Sequence, residues 1–333
     1  MNVVFVSHPA DRLEQYFGPR AVRALHAIAE VRYNANAREL GTQELVDAAR
    51  DCDAIIAYRQ TPAPRALFAG LPKLAAFLRC AVDIRTVDIA AASEFGVLVT
   101  QASAGYVAAV TEWIVAMMVD LARGIAGYTR DYRQGSAPTP VMGRQLRGAT
   151  LGVIGHGQIG SDLVRVALAL GMDVLVNDPQ PVPAQPGLQQ VDLGTLLSGS
   201  DFVVCLAPAN TDTDRLMNAE AFAAMKPQAF FINASRGELV DDAALLHALD
   251  RGQLAGCAVD VGRAPDQMPS PAVARHPRVL ATPHIGGLTL PAIEHQALET
   301  VMQFSALKNG QLPPGAVNAD RATRWQHWHE AVK

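Results

Sequence analysis

Residues 150–160, Thr150-Leu151-Gly152-Val153-Ile154-Gly155-His156-Gly157-Gln158-Ile159-Gly160, join an apolar run to a glycine-rich turn, and a helical pattern follows in Leu163, Val164, Val166, Ala167 and Leu170. In such a strand, turn and helix the first glycine permits the tight turn, the second lets backbone approach a pyrophosphate, and the third lets the helix pack closely on the strand. The helix N-terminus then offers free N–H groups to phosphate oxygens. Asp178 ends the next strand about 18 residues past Gly160. A carboxylate there accepts hydrogen bonds from a ribose diol and repels a 2′-phosphate, which favours NAD over NADP. His156, at a variable position of the turn, reads as a surface or phosphate-adjacent side chain.

Outward from this stretch, short β-branched or apolar runs alternate with helical periods along the chain, the pattern of βα units on parallel sheets. The spacing predicts strands at Thr150–Ile154, Asp173–Asn177, Phe202–Cys205, Ala229–Asn233, Gly256–Asp260 and Val279–Ala281, six strands of a doubly wound sheet, with Pro179–Gln190 as a connection. Before them it predicts a smaller parallel sheet of Val3–Val6, Ala54–Tyr58, Leu74–Phe77 and Val97–Val99, with helices near Arg20–Ala29, Gln43–Asp51 and Asp88–Glu94. A long helix, Val107–Arg123, leads through a polar stretch, Gly135–Gly148, into the second series. A last helix, Pro291–Leu307, and a tail with Trp325 and Trp328 return to the first domain.

The chain's 333 residues suffice for two domains, each with its own core. At 50% hydrophobic and 18% charged the sequence folds rather than staying disordered. Its 28 Lys and Arg against 32 Asp and Glu leave a net charge of −4, with no cationic excess to draw nucleic acid or anionic lipid. A small-molecule partner is expected. The most apolar helical stretch, Val107–Ala122, carries Glu112 and Asp120 and falls short of the roughly 20 apolar residues of a membrane span. Met1–Ser7 is too short and wrongly flanked for a signal peptide, so a cytoplasmic protein is expected. Cys52, Cys80, Cys205 and Cys257 lie in apolar surroundings without CxxC spacing and read as reduced, buried thiols; no metal site is expected.

Ligands of open parallel sheets bind at the carboxyl ends of the strands. The residues that follow the second series there are Gly155, Asp178, Ala207-Pro208, Ser235-Arg236, Asp260 and Pro283-His284. A guanidinium, a carboxylate and an imidazole thus meet at the edge that holds a dinucleotide. The cation can fix a carboxylate and polarise a carbonyl, and the imidazolium can protonate a developing alkoxide.

These segments, with Pro208–Thr213, Asn233-Ala234-Ser235-Arg236-Gly237, Ala258-Val259-Asp260-Val261 and Thr282-Pro283-His284-Ile285-Gly286-Gly287, make the chain resemble the D-isomer-specific 2-hydroxyacid dehydrogenase family over nearly its whole length. The resemblance implies a central Rossmann NAD domain, residues 105–285, inserted in a discontinuous flavodoxin-like substrate domain, residues 1–104 and 286–333. It implies Arg236 as the substrate-binding arginine, His284 as the acid/base and Asp260 as a contact to the nicotinamide amide. Gly155 to Gly160, Asp178, Ala207, Pro208, Thr213, Ala234, Ser235 and Gly286 complete the implied cofactor set. A homodimer through the cofactor domain is implied too, a role that the helix Val107–Arg123 would fit.

Three departures from the family stand out. Where the family has a Glu after its Asp-Val pair, this chain has Pro265 and Asp266; Asp266 is a shorter partner for His284 or else a solvated loop acid. Where the family has a Gly-x-Gly turn that holds the substrate carboxylate, this chain has Ala81-Val82-Asp83, flanked by Arg79 and Arg85. Either the loop is remodelled for a different substrate, or Asp83 turns outward and pairs with an arginine. Ser103-Ala104-Gly105 replaces a Pro-Gly at the hinge. Arg59, at the end of the strand Ala54–Tyr58, is a candidate for a second anionic group on the substrate or an ordinary exposed arginine, and His8, after the first strand, reads as a loop residue. Trp113 reads as core or dimer contact, and Trp325, His327, Trp328 and His329 as an ordered tail. The reaction expected is NAD-linked interconversion of a 2-oxo acid and a D-2-hydroxy acid. The alternative is a dinucleotide-sensing regulator.

Overall fold

The computed structural model describes residues 2–264 and 266–326. Pro265 and three members of the tail cluster, His327, Trp328 and His329, lie outside them. The chain forms two compact units, one of Met1–Gly105 with Leu290–Lys333 and one of Tyr106–Thr289, against expected joints at 104/105 and 285/286.

The first unit is a five-stranded sheet of β1 (Val3–Val6), β2 (Glu30–Tyr33), β3 (Ala54–Ala57), β4 (Ala76–Arg79) and β5 (Leu98–Gln101), in the order β2-β1-β3-β4-β5 with every pair parallel. Strand residues alternate between two apolar layers, as the period of two requires. Phe5, Ile55, Phe77 and Val99 face the helices Thr42–Ala49 and Arg65–Gly70. Val4, Val6, Ile56 and Leu78 face Leu25 and the returning helix Leu290–Lys308, through its Ala297, Val301, Phe304 and Leu307.

Here the sequence reading needs two corrections. β2 was not expected, because it is an edge strand with a single partner and its Glu-Val-Arg-Tyr run has no continuous apolar face. β4 runs two residues beyond the expected end because Arg79 is a buried strand residue, not an exit. Its Nη1 donates to the Tyr58 carbonyl (2.6 Å) and its Nη2 to the Thr61 carbonyl (2.7 Å) and Thr86 Oγ1 (2.9 Å), so the loops after β3 and β4 are tied to one side chain. Burial lowers the Arg79 pKa to about 10, which leaves the guanidinium charged at neutral pH.

The second unit is a seven-stranded parallel sheet, β12-β11-β10-β9-β6-β7-β8. Its strands are β6 (Thr150–Ile154), β7 (Asp173–Asn177), β8 (Leu188–Gln190), β9 (Phe202–Cys205), β10 (Ala229–Asn233), β11 (Leu254–Val259) and β12 (Val279–Ala281). The order reverses at β6, the switch point at which such folds open a crevice. β8 is a correction: it lies inside the expected connection Pro179–Gln190, a three-residue edge strand too short to show a period. β11 begins earlier than expected and ends at Val259, so Asp260 lies just beyond it. The helix Val107–Arg123 turns Val110, Trp113, Ile114, Met118 and Ala122 into the core of its own unit beside Leu151, Val153, Val204 and Ile232. Its apolar face is therefore internal. Among the described residues no helix is long and apolar enough to cross a membrane. All four cysteines are buried and free, and burial pushes the Cys80 and Cys205 thiols up to about 12.

His8 lies in the loop just past β1, as expected, but it is buried there, with its ring 5.2 Å from both Phe17 and Tyr58. Burial depresses its pKa to about 3 from 6.5. The unfolded chain therefore binds the proton first as pH falls, so this residue's contribution to stability is complete above about pH 6.5 and is lost progressively toward pH 3. Between pH 7 and pH 4.5 the wild type should lose about 2–3 kcal/mol more than a His8→Phe variant. Urea midpoints at the two pH values measure this, and equal losses would refute it.

Candidate functional site

The glycine turn is built as its spacing requires. Gly155 holds φ +98°, and a Cβ there would lie 2.7 Å from the Ala207 nitrogen. A Cβ on Gly160 would lie 2.2 Å from the Gly155 carbonyl oxygen, which fixes how closely the helix Gln158–Ala169 meets β6. Around Gly157 nothing lies within 4 Å of that position. The first helical hydrogen bond runs from the Ser161 N–H to the Gly157 carbonyl (2.9 Å), so the N–H groups of Gln158, Ile159 and Gly160 have no intrahelical acceptor. That arrangement, open at one glycine and packed at the other two, fits a pyrophosphate. Asp178 follows β7, and its carboxylate accepts the His156 N–H (2.6 Å) and the Gln180 N–H (2.8 Å). The backbone donor of His156 is thus engaged within the protein.

On the other half of the sheet, the residues of the expected trio follow three adjacent strands. Beyond β10, Asn233 is buried; its side chain donates to the Arg236 carbonyl (2.9 Å) and accepts the Ser235 N–H (3.1 Å), so it shapes the turn carrying Arg236. Arg236 is half-buried, with Nη1 on the Ser235 carbonyl (2.7 Å), and Ser235 Oγ donates to the carbonyl of Ala207. The Thr213 hydroxyl closes its own turn on the Pro208 carbonyl (2.6 Å). Beyond β11, the buried Asp260 accepts Thr282 Oγ1 (2.5 Å) and the Ile285 N–H (2.8 Å) on one oxygen and the Gly286 N–H (2.7 Å) on the other. Burial pushes its carboxyl up, and those three donors pull it back. Beyond β12, His284 is half-buried with φ +56°, a left-handed conformation uncommon outside glycine.

Asp266 is exposed, and its carboxylate accepts the Met268 N–H (3.0 Å), a turn contact of the solvated kind. In the first unit, Arg59 is half-buried, with its guanidinium 5.8 Å from the centre of the Tyr16 ring. The Ala81-Val82-Asp83 loop keeps negative φ throughout, since the non-glycine residues at positive φ among those described are Arg215, Gln228, Gln267 and His284. Asp83 accepts from the Arg85 backbone N–H (2.9 Å) and from its Nε and Nη2 (3.0 and 2.8 Å), the pairing foreseen as one of two alternatives. The sequence reading missed Asn233 and Arg263 as supports. Arg263 holds the carbonyls of Glu238 and Val240 and the Asp214 carboxylate, which clamps the short helix Gly237–Leu239 after Arg236. The one signal for it was Gly237 itself, where a Cβ would meet the Gly262 carbonyl carbon at 2.1 Å.

The profile of the D-isomer specific 2-hydroxyacid dehydrogenase NAD binding domain matches residues 115–286. The chain belongs to this family. A chloroplastic D-3-phosphoglycerate dehydrogenase of Arabidopsis thaliana is 34% identical over 287 residues, covering 84% of this chain and 49% of that protein. This family member thus spans about half the length of the phosphoglycerate dehydrogenases that it matches. A glyoxylate reductase of Thermococcus onnurineus is 29% identical over 310 residues, 90% of this chain and 92% of that one. Among solved structures, a D-lactate dehydrogenase from Escherichia coli superposes with a TM-score of 0.81 at 26% identity, covering 95% of this chain and 100% of that one.

The glycines give opposite expectations. Gly157→Ala leaves thermal stability unchanged and weakens NADH binding by about tenfold or more, because the added methyl lies in open space where phosphate would approach. Gly160→Ala lowers the melting temperature as well, since its methyl must displace backbone. Differential scanning fluorimetry and fluorescence titration with NADH separate the two, and equal stability losses would contradict the assignment.

Proposed function

We propose that the protein interconverts a 2-oxo acid and the corresponding D-2-hydroxy acid with NAD(H). The observation that carries this reading is the placement of Arg236, Asp260 and His284 directly after three adjacent parallel strands, β10, β11 and β12. Bound NAD(H) supplies hydride exchange with the carbonyl carbon. Gly155 to Gly160 would hold its pyrophosphate, Asp178 its ribose diol, and Ala207, Pro208, Thr213, Ala234, Ser235, Asp260 and Gly286 the remainder, with NAD preferred to NADP through Asp178.

In the reducing direction the Arg236 guanidinium grips the substrate carboxylate and polarises the carbonyl, and His284 gives its proton to the developing alkoxide. In the other direction His284 takes the hydroxyl proton. Asp266 is proposed as the carboxylate that favours the imidazolium, and Arg59 with Ala81, Val82 and Asp83 as the substrate contacts of the first unit. A cytoplasmic location is proposed on the strength of the four unbridged, buried thiols, which suit a reducing compartment. A homodimer is also proposed. Its contact is assigned to the exposed apolar side chains Ile125, Tyr132, Val141 and Met142, of which Met142 is 95% exposed. Sedimentation should give a dimer for the wild type and a monomer for Val141→Asp/Met142→Asp.

The decisive experiment follows NADH absorbance over a panel of 2-oxo acids. His284→Ala should lower kcat by on the order of 10²–10⁴ with NADH binding retained. Arg236→Lys should lower kcat/KM by roughly 10²-fold, because a point charge cannot replace a two-pronged grip. Asp266→Asn should move the alkaline fall of reduction to lower pH, since His284 would lose its proton sooner; an unmoved profile leaves Asp266 a solvated loop acid. NADH binding with no turnover on any acid would favour the sensor instead.

A further inference from the structure

Three groups next to His284 converge on one carboxylate. Thr282 precedes it by two residues and donates its hydroxyl to Asp260 Oδ1 at 2.5 Å; Ile285 and Gly286 follow it and donate their N–H groups to Oδ1 and Oδ2 at 2.8 and 2.7 Å. Thr282 is also fixed through its backbone. Its N–H donates to the Val259 carbonyl (3.0 Å), and its own carbonyl accepts the His284 N–H (3.0 Å). His284 is thus the left-handed centre of a loop anchored on both sides, at φ +56°. A left-handed non-glycine residue persists only where its surroundings over-determine it, and here the anchors do so. Gly286 fits the same device, because a Cβ there would come within 2.9 Å of Asp260 Oδ2.

We propose that Thr282 is a positioning residue for His284. Its hydroxyl latches the loop to Asp260 and so sets the direction from which the imidazole meets the substrate oxygen. The inference rests on the reaction proposed above for its kinetic arm alone. Thr282 touches neither substrate nor cofactor in this role. Its methyl group and its backbone bonds are common to Thr and Val, so the hydroxyl alone is tested by Thr282→Val, and Thr282→Ser keeps it.

The test measures both variants as full-length protein. Thr282→Val should lower kcat for the best 2-oxo acid about tenfold or more, with the NADH dissociation constant within about twofold of wild type. Thr282→Ser should recover most of the loss. The second readout needs neither turnover nor cofactor. In histidine-labelled protein the His284 Cε1–H resonance, assigned by its loss in His284→Asn, should be single and sharp in wild type and Thr282→Ser, and broadened or split in Thr282→Val. Unchanged kcat in Thr282→Val, or weakened NADH binding with kcat preserved, would overturn the inference, as would a Ser variant no better than Val. Should the wild type reduce none of the acids, the reaction proposed above fails and the resonance decides: identical spectra in wild type and Thr282→Val reject the latch, and a broadened Val spectrum sustains it.

Discussion

All named strand pairs in both sheets are parallel, and that constraint gathers the polar ends of the strands at one edge of each. A parallel strand covered by helices on both faces must be apolar almost throughout, as Ala-Ile-Ile-Ala of β3 and Phe-Val-Val-Cys of β9 are. Polar chemistry can enter only where a strand stops. In the second unit the stops after β10, β11 and β12 give Arg236, Asp260 and His284, whose order along the edge follows from the strand order and from nothing local to those residues.

Edge loops so placed still need shape, and hydrogen bonds to buried polar side chains supply it. Asn233 shapes the arginine turn, and its backbone carbonyl also accepts the Asp260 N–H (3.2 Å). Asp260 in turn shapes the histidine loop. The two halves of the proposed chemistry therefore share one continuous set of bonds through adjacent strands. A buried carboxylate without a cation is costly unless its oxygens are well supplied with donors. Asp260 draws three from the 282–286 loop, so the loop that it orders is also what keeps it tolerable as an anion. In the first unit Arg79 is the mirror case, a buried cation held by the carbonyls of Tyr58 and Thr61.

What could be read from the sequence divides along the same physical line. Gly155 and Gly160 were legible because only a residue without a side chain fits those contacts, and the central strands were legible because burial on both faces makes them apolar. The edge strands β2 and β8 were not, since with one partner apiece they carry charged or polar residues and span only a few positions. Arg79 was left outside the strand that it in fact ends, because the carbonyls that satisfy its buried guanidinium belong to another loop and no local pattern marks them. Asn233, Arg263 and Thr282 escaped for the same reason. Each acts on backbone atoms brought near by the fold, and spacing in the chain is silent about those. The helix Val107–Arg123 was read correctly as apolar, but hydrophobicity alone does not say which neighbour covers it, and here its Val110, Trp113, Ile114 and Met118 pack into its own unit.

Backbone strain gathers mostly beyond the carboxyl ends of the second unit's strands. Among the described residues the positive-φ positions other than glycine all lie in the second unit, and three of the four, Arg215, Gln267 and His284, follow the carboxyl ends of β9, β11 and β12. The Ala81-Val82-Asp83 loop of the first unit could not afford that solution. Val is β-branched and among the residues least tolerant of left-handed backbone, and the loop adopts ordinary negative φ with Asp83 turned onto Arg85. Where the family turn offers backbone N–H groups from glycines, this loop offers a charged pair. In the reaction proposed above, recognition of a substrate on the first unit would then depend more on side chains such as Arg59 than on the backbone, and His284 would serve as acid/base from the left-handed conformation that its bonded loop holds.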